Sequence, residues 1–196
     1  MSRLAASFVL GYHGCDAETA RKVVNREEPL QPSDKKYDWL GHGAYFWESD
    51  PQRAREWARE AKARGRLNTP AVIGAVIDLG NCLDLLSREN IELVRLAHQL
   101  FVQEQQQSGL AVPENRGLGD EPDKILRFLD RAVIQFLHEA IEKGGGDQFD
   151  SVRGLFPEGA PLYEGAGFRE RTHVQIAVCN LESIRGLFYP PEVDGA

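Results

Sequence analysis

A chain of 196 residues, 42% hydrophobic and 27% charged, has the makeup of one ordinary globular domain spanning 1–196, long enough to bury a core and short for two. The net charge of −7 excludes general attraction to phosphate backbones, so nucleic-acid binding would depend on a local patch. No apolar run approaches the roughly 18 residues of a membrane helix, and the interrupted apolar stretch at 1–10 is too short for the core of a cleaved signal, so a cytoplasmic protein without membrane contact is expected.

In chain order, 7–12 (SFVLGY) reads as a first strand ending in His13-Gly14-Cys15. Taken alone, His13 fits a structural histidine as well as a functional one. Residues 16–25 follow as a short helix, with Asp16 able to cap it and Ala17, Ala20, Val23 and Val24 facing inward. The polar stretch 25–39 holds two prolines and reads as a loop.

The stretch 39–61 (WLGHGAYFWESDPQRAREWAREA) is the most informative. Gly41 and Gly43 allow close approach of backbone to something flat or crowded. Alternation in Tyr45-Phe46-Trp47 puts Tyr45 and Trp47 on one face and Phe46 on the other. Ser49 or Asp50 then caps a helix with Pro51 in its first turn, whose Ala54, Trp57, Ala58 and Ala61 recur at helical spacing. That helix is expected to bury Trp57 and to show its arginines to water. Arg53, Arg55, Arg59, Lys62, Arg64 and Arg66 form the one visible basic patch, and its simpler reading is a solvated helix face.

Residues 69–84 carry the β-branched content of a central strand, with Gly80-Asn81 turning into a second short one. Two helices come next. Ser87 can cap the first, with Ile91, Val94, His98, Phe101 and Val102 as its stripe, and a Gly- and Pro-rich loop over 110–121 separates it from the second, over 125–141. His98 and His138 read as buried, hydrogen-bonded histidines rather than metal ligands. Residues 147–171 hold glycines and prolines together with Phe149, Phe156, Tyr163 and Phe168, the makeup of a loop that packs. Residues 172–179 alternate like a strand, with His173 and Gln175 on one face, and 183–189 reads as its partner. Cys15, Cys82 and Cys179 are widely spaced beside apolar residues, which favours reduced, mostly buried thiols over a disulfide frame or zinc site.

Three of these elements stand in a telling order: Tyr12-His13-Gly14 on the first strand, Gly41-His42-Gly43-Ala44-Tyr45-Phe46 before a helix, and Val174-Gln175-Ile176-Ala177-Val178 on a late strand. Together they resemble the ADP-ribosyltransferases of the poly-ADP-ribose polymerase and diphtheria-toxin type, in an H-Y-[E/Q] variant of the kind found in bacterial toxins and effectors. The resemblance covers both ends of the chain, and 87–146 carries no matching motif.

The resemblance implies an α+β fold in which split antiparallel sheets hold NAD in a cleft, with a helical pair inserted at about 87–144. It implies NAD as co-substrate and no metal, with His13, Gly14, Gly43, Tyr45 and Phe46 as binding residues. His13, Tyr45 and Gln175 would be the catalytic set. By carry-over, the main chain of Gly14 holds the nicotinamide carboxamide, His13 bonds the adenosine-side ribose, and Tyr45 stacks on the nicotinamide ring. Gln175 stands where the family usually places a glutamate. Without a unit charge about 4 Å from the developing oxocarbenium ion, at an effective dielectric near 20, about 4 kcal/mol is lost, about a thousandfold in rate. Glu158, Glu164 and Glu170, in the preceding loop, are candidates to supply that charge or to act as the base.

The activity implied is transfer of a single ADP-ribose from NAD to a macromolecule. The alternatives are an NAD glycohydrolase toxin, or a catalytically inactive NAD-binding or interaction module, for which Gln175 is the supporting feature. The acidic composition favours a protein acceptor over nucleic acid. The helical insert has three candidate roles: bracing the cleft, binding a neutralising partner protein, or receiving the target.

Overall fold

The computed structural model describes residues 8–117 and 123–191. The described elements are β1 (Phe8–Asp16), α1 (Ala17–Val24), β2 (Ala44–Glu48), α2 (Pro51–Ala63), β3 (Pro70–Asp78), β4 (Cys82–Asp84), α3 (Arg88–Gln107), α4 (Phe128–Lys143), β5 (Ser151–Phe156), β6 (His173–Val178), a 3-10 turn at Leu181–Ser183, and β7 (Ile184–Phe188). The expected start of the first strand at Ser7, and 118–121 of the expected Gly- and Pro-rich loop, lie outside the described residues.

The strands form a seven-stranded mixed sheet in the order β4-β5-β6-β2-β1-β3-β7. It is not wholly antiparallel, because β4 runs parallel to β5. The sheet is close to two: β1 pairs with β3 along its full length, from Phe8↔Asp78 to Asp16↔Pro70, but meets β2 only at Gly11↔Glu48 and Tyr12↔Trp47.

Two core clusters lie on opposite faces of the sheet, with Ile176 and Val178 of β6 in one and Ala177 in the other. Around β1, β3 and the core face of β2, buried Phe46, Ile73, Ile77 and Ile176 pack with Ala20 and Val23 of α1. The β4-β5-β6 half packs Leu83, Val152 and Ala177 against Ala97 and Phe101 of α3 and Val133, Ile134 and Leu137 of α4. Local signals set the helix starts: the Asp16 carboxylate accepts from Glu18 N–H to open α1, and Asp50, rather than Ser49, accepts from Arg53 N–H ahead of Pro51 to open α2. Ser49 instead takes a positive φ of 54°.

Several elements differ from the sequence reading. The first strand runs through His13-Gly14-Cys15 to Asp16 because β3 supplies a ladder for all of it. Central strand β5 lies inside the segment read as a loop; its Gly154 and flanking glycines hide it from a composition argument. β7 pairs with β3, not with β6, whose two edges are taken by β2 and β5. On α3 the buried face is Ala97 and Phe101, while Ile91 is 48% exposed and His98 stands in solvent, so His98 is not the buried histidine expected. His138 is half-buried, with its ring edge-on to Phe149. On α2 and just after it, Arg59, Lys62, Arg64 and Arg66 are exposed as expected, whereas Arg53 is buried and Trp57 only half-buried.

Phe46 has no exposed surface and packs among the core aliphatics, so Phe46→Ala should cost about 3–5 kcal/mol of unfolding free energy. Urea denaturation followed by circular dichroism measures this; a loss below 1 kcal/mol would contradict the core assignment.

Candidate functional site

The site begins where β1 and β2 part. Ser49 N–H donates to Leu10 O (2.8 Å) on the β2 side of β1, and Ala17 N–H donates to Thr69 O (2.8 Å) on the β3 side. Backbone groups of an antiparallel strand alternate between its two edges, so the N–H and C=O of Tyr12 and Gly14 face the β2 side. Continuing the register would set Gly14 opposite Tyr45, yet pairing stops at Tyr12↔Trp47. The Tyr45 carbonyl is taken instead by the imidazole of His13, at 2.7 Å from Nδ1. The His13 ring thus ends the ladder and turns the Gly14 main chain toward the opening. Gly14 cannot carry a side chain there: a Cβ would lie 2.8 Å from Ala54 O and 2.9 Å from Trp57 Cε3, because α2 seats directly on it.

The opening leads into a cavity of about 580 Å³, in the range of small-molecule and cofactor sites. His13, Gly14, Tyr45, Gln175 and Glu158 all line it, so three elements far apart in sequence meet around one space. The chain's three tryptophans, Trp39, Trp47 and Trp57, line it too.

Hydrogen bonding and burial define the states of His13 and Tyr45. A carbonyl only accepts, so His13 Nδ1 carries its hydrogen and donates to Tyr45 O, and burial lowers the imidazole pKa. The neutral ring keeps an Nε2 lone pair able to accept from a hydroxyl. The Tyr45 phenol donates to Gly41 O (2.8 Å) and accepts from Leu40 N–H (3.0 Å), and burial raises its pKa beyond the reach of physiological titration. Tyr45 is therefore a fixed neutral ring. Gly41, at φ 84°, makes the tight turn that returns both groups to that hydroxyl.

Gln175 Oε1 accepts from the indole N–H of Trp39 at 2.7 Å. Indole can only donate, so this contact orients the amide and leaves the NH2 as its unengaged end. Trp39 is pressed onto β5 at Gly154, where a Cβ would lie 2.8 Å from its ring, and it meets Phe156 edge-on at 4.8 Å.

Four carboxylates line the cavity, Asp38, Glu60, Asp123 and Glu158, and the one paired with buried Arg53 comes from the loop after β5. Glu158 accepts from Arg53 Nη2 at 3.0 and 3.3 Å, and lies 3.9 Å from Arg171 and 4.0 Å from His173 Nδ1. The His173 ring stacks on Phe156 at 5.4 Å and donates from Nδ1 to Arg171 O, with burial the leading cause of its lowered pKa.

Four other sequence candidates fall elsewhere. Gly43 lets β2 pack on β6, where a Cβ would meet Val178 O at 2.9 Å, and Phe46 is core, on the opposite face of β2 from Tyr45. Glu164 is exposed in the loop, and exposed Glu170 accepts weakly from Ala160 N–H (3.4 Å) in the loop's own turn. Sequence reasoning gave no site role to Trp39, Trp47, Arg53, Trp57 or His173. The alternation of β2 and β6 and the i, i+4 spacing of Arg53 and Trp57 held that signal. Burial raises the thiols of Cys15 and Cys82 to about 11 and of Cys179 to about 12, so all stay protonated and weakly reactive near neutral pH. Among the described residues no cluster of three or more His, Cys, Asp or Glu could hold a metal, and no helix is long and apolar enough to cross a membrane.

Two outcomes test this geometry. Tyr45→Phe strands the Gly41 carbonyl and the Leu40 N–H and should lower stability by about 1–3 kcal/mol, measured by denaturant unfolding. His13, His138 and His173 have folded pKa values below the ordinary 6.5, so in acid the unfolded chain binds more protons than the folded one. Stability should hold above pH 6.5 and fall as pH drops below it, with a shallower fall in His173→Gln; thermal melts between pH 5 and 8 measure the slope.

No family model and no solved structure matches the chain. An uncharacterized protein of Methanocaldococcus jannaschii is 28% identical over 193 residues, an alignment that covers 90% of this chain and 84% of that protein.

Proposed function

We propose that this chain cleaves the nicotinamide-ribose bond of NAD and transfers a single ADP-ribose to a macromolecule, in the manner of the ADP-ribosyltransferases its motifs resemble. One observation carries the reading. Where β1 leaves β2, the main chain of Gly14 faces the same cavity that holds the imidazole of His13, the ring of Tyr45 and the amide of Gln175.

Each group has a physical task. The Gly14 N–H and C=O match a carboxamide, which needs one donor and one acceptor. Tyr45 and Trp57 offer ring faces for stacking. The Nε2 lone pair of His13 accepts from a ribose hydroxyl. Holding the dinucleotide in one geometry supplies orientation, and the remaining demand is negative charge near the sugar cation. Gln175 brings no charge. Glu158 lines the same cavity and takes over that role in this proposal, as well as that of base toward the acceptor.

The Trp39 contact to Gln175 favours a second reading, an NAD-binding module without catalysis, because the amide oxygen already has a donor. Incubation with labelled NAD in cell lysate, with nicotinamide release and label sensitivity to protease and nuclease as readouts, separates the possibilities. Transfer predicts macromolecular label; free ADP-ribose alone indicates a glycohydrolase, and no nicotinamide release at high protein concentration indicates the inert module. Tyr45→Ala and His13→Ala should abolish labelling, Glu158→Gln should lower it about a hundredfold or more, and Gln175→Glu should keep or raise NAD cleavage. Full labelling by Tyr45→Ala would refute the stacking role.

A further inference from the structure

The floor of the cavity carries hydrogen-bond donors that the chain does not satisfy. Arg53 is 7% exposed, and while its Nη2 meets Glu158, its Nε and Nη1 have no hydrogen-bond partner among the described residues. The same holds for the indole N–H of Trp47, which is 6% exposed and whose ring centroid lies 5.8 Å from the guanidinium carbon. Buried donors are paired in the great majority of cases, so adjacent orphans on two residues lining one cavity mark a place for an acceptor from outside the chain.

Charge narrows the choice. Glu158 lies between Arg53 (3.0 Å) and Arg171 (3.9 Å), and Glu60 between Arg171 (3.7 Å) and Arg64 (3.5 Å). Over the whole cavity five cationic side chains, Lys35, Arg53, Arg64, Arg66 and Arg171, face four carboxylates, Asp38, Glu60, Asp123 and Glu158, so a single positive charge is left over. A neutral acceptor would leave it uncompensated. We infer that Arg53 and Trp47 form a subsite for an anionic oxygen, a phosphate or a carboxylate, on the ligand of this cleft. The inference concerns ligand charge and does not depend on NAD cleavage, so it can fail while the transfer reaction stands, and the reverse.

Arg53 belongs to α2, one turn before Trp57, so an anion seated there lies beside the aromatic faces at the opening. Isothermal titration calorimetry at constant ionic strength tests the subsite with three probes: inorganic pyrophosphate, the aromatic carboxylate nicotinate, and its neutral amide nicotinamide. At least one anion should bind saturably and more tightly than nicotinamide; pyrophosphate alone assigns a phosphate subsite and nicotinate alone a carboxylate one. Arg53→Gln should weaken the anion at least about tenfold. Because that change strands Glu158, the paired variant Arg53→Gln with Glu158→Gln leaves the net charge of the site unchanged and, having lost the guanidinium donors, should show the same loss. Trp47→Phe retains the ring and should weaken binding about threefold. No saturable anion binding below about 10 mM, nicotinamide binding as tightly as nicotinate, or anion affinity unchanged in the paired variant and in Trp47→Phe would overturn the inference.

Discussion

The bond from His13 Nδ1 to the Tyr45 carbonyl is the interaction on which the cleft depends. In a continuing ladder that carbonyl would face Gly14 and the two halves of the sheet would close against each other. By taking it with a side chain, the protein ends pairing at Tyr12↔Trp47 without leaving a buried carbonyl unsatisfied. Beyond that point β1 and β2 no longer pair with each other, and His13, Gly14 and Tyr45 line the cavity there. Gly14 completes the arrangement, since any Cβ there would push α2 away and take Trp57 with it.

The second half of the site is held by the helical pair. α4 reaches the loop before β2: Gln135 Oε1 accepts from His42 N–H (2.9 Å), Arg131 pairs with Asp34, and the ring of Phe128 meets Tyr37 at 6.2 Å. That loop carries Trp39 and delivers Gly41 to the Tyr45 hydroxyl. These contacts brace the loop before β2 against α4. A turn with glycine at positive φ and a lone phenol would otherwise fluctuate, and a ring surface is useful for stacking only if it is still.

In the cavity the Gln175 amide and the Glu158 carboxylate come from different elements. The β6 position nearest the meeting of the sheet halves carries an amide tied to Trp39, and the acidic group sits on the neighbouring loop beside buried Arg53. The Arg53 guanidinium pairs with that carboxylate through Nη2, while its Nε and Nη1 have no hydrogen-bond partner among the described residues.

What could be read from the chain alone was local. Period-2 alternation in Tyr45-Phe46-Trp47 and in the late strand placed Tyr45 and Gln175 on faces able to meet, and Asp16, Asp50 and Pro51 marked helix starts, because caps and strand alternation are short-range geometry. The convergence of His13, Tyr45 and Gln175 was legible only through motif order, not through any contact rule. Which strand neighbours which was decided in three dimensions: β5 was hidden by its glycines, β7 went to β3 because β6 had no open edge, and Phe46 went to the core while the strand's other face went to the cleft. Burial of Arg53 and exposure of His98 likewise came from how far around each helix its neighbours reach, a quantity that hydrophobic spacing leaves undetermined to within about one residue of rotation.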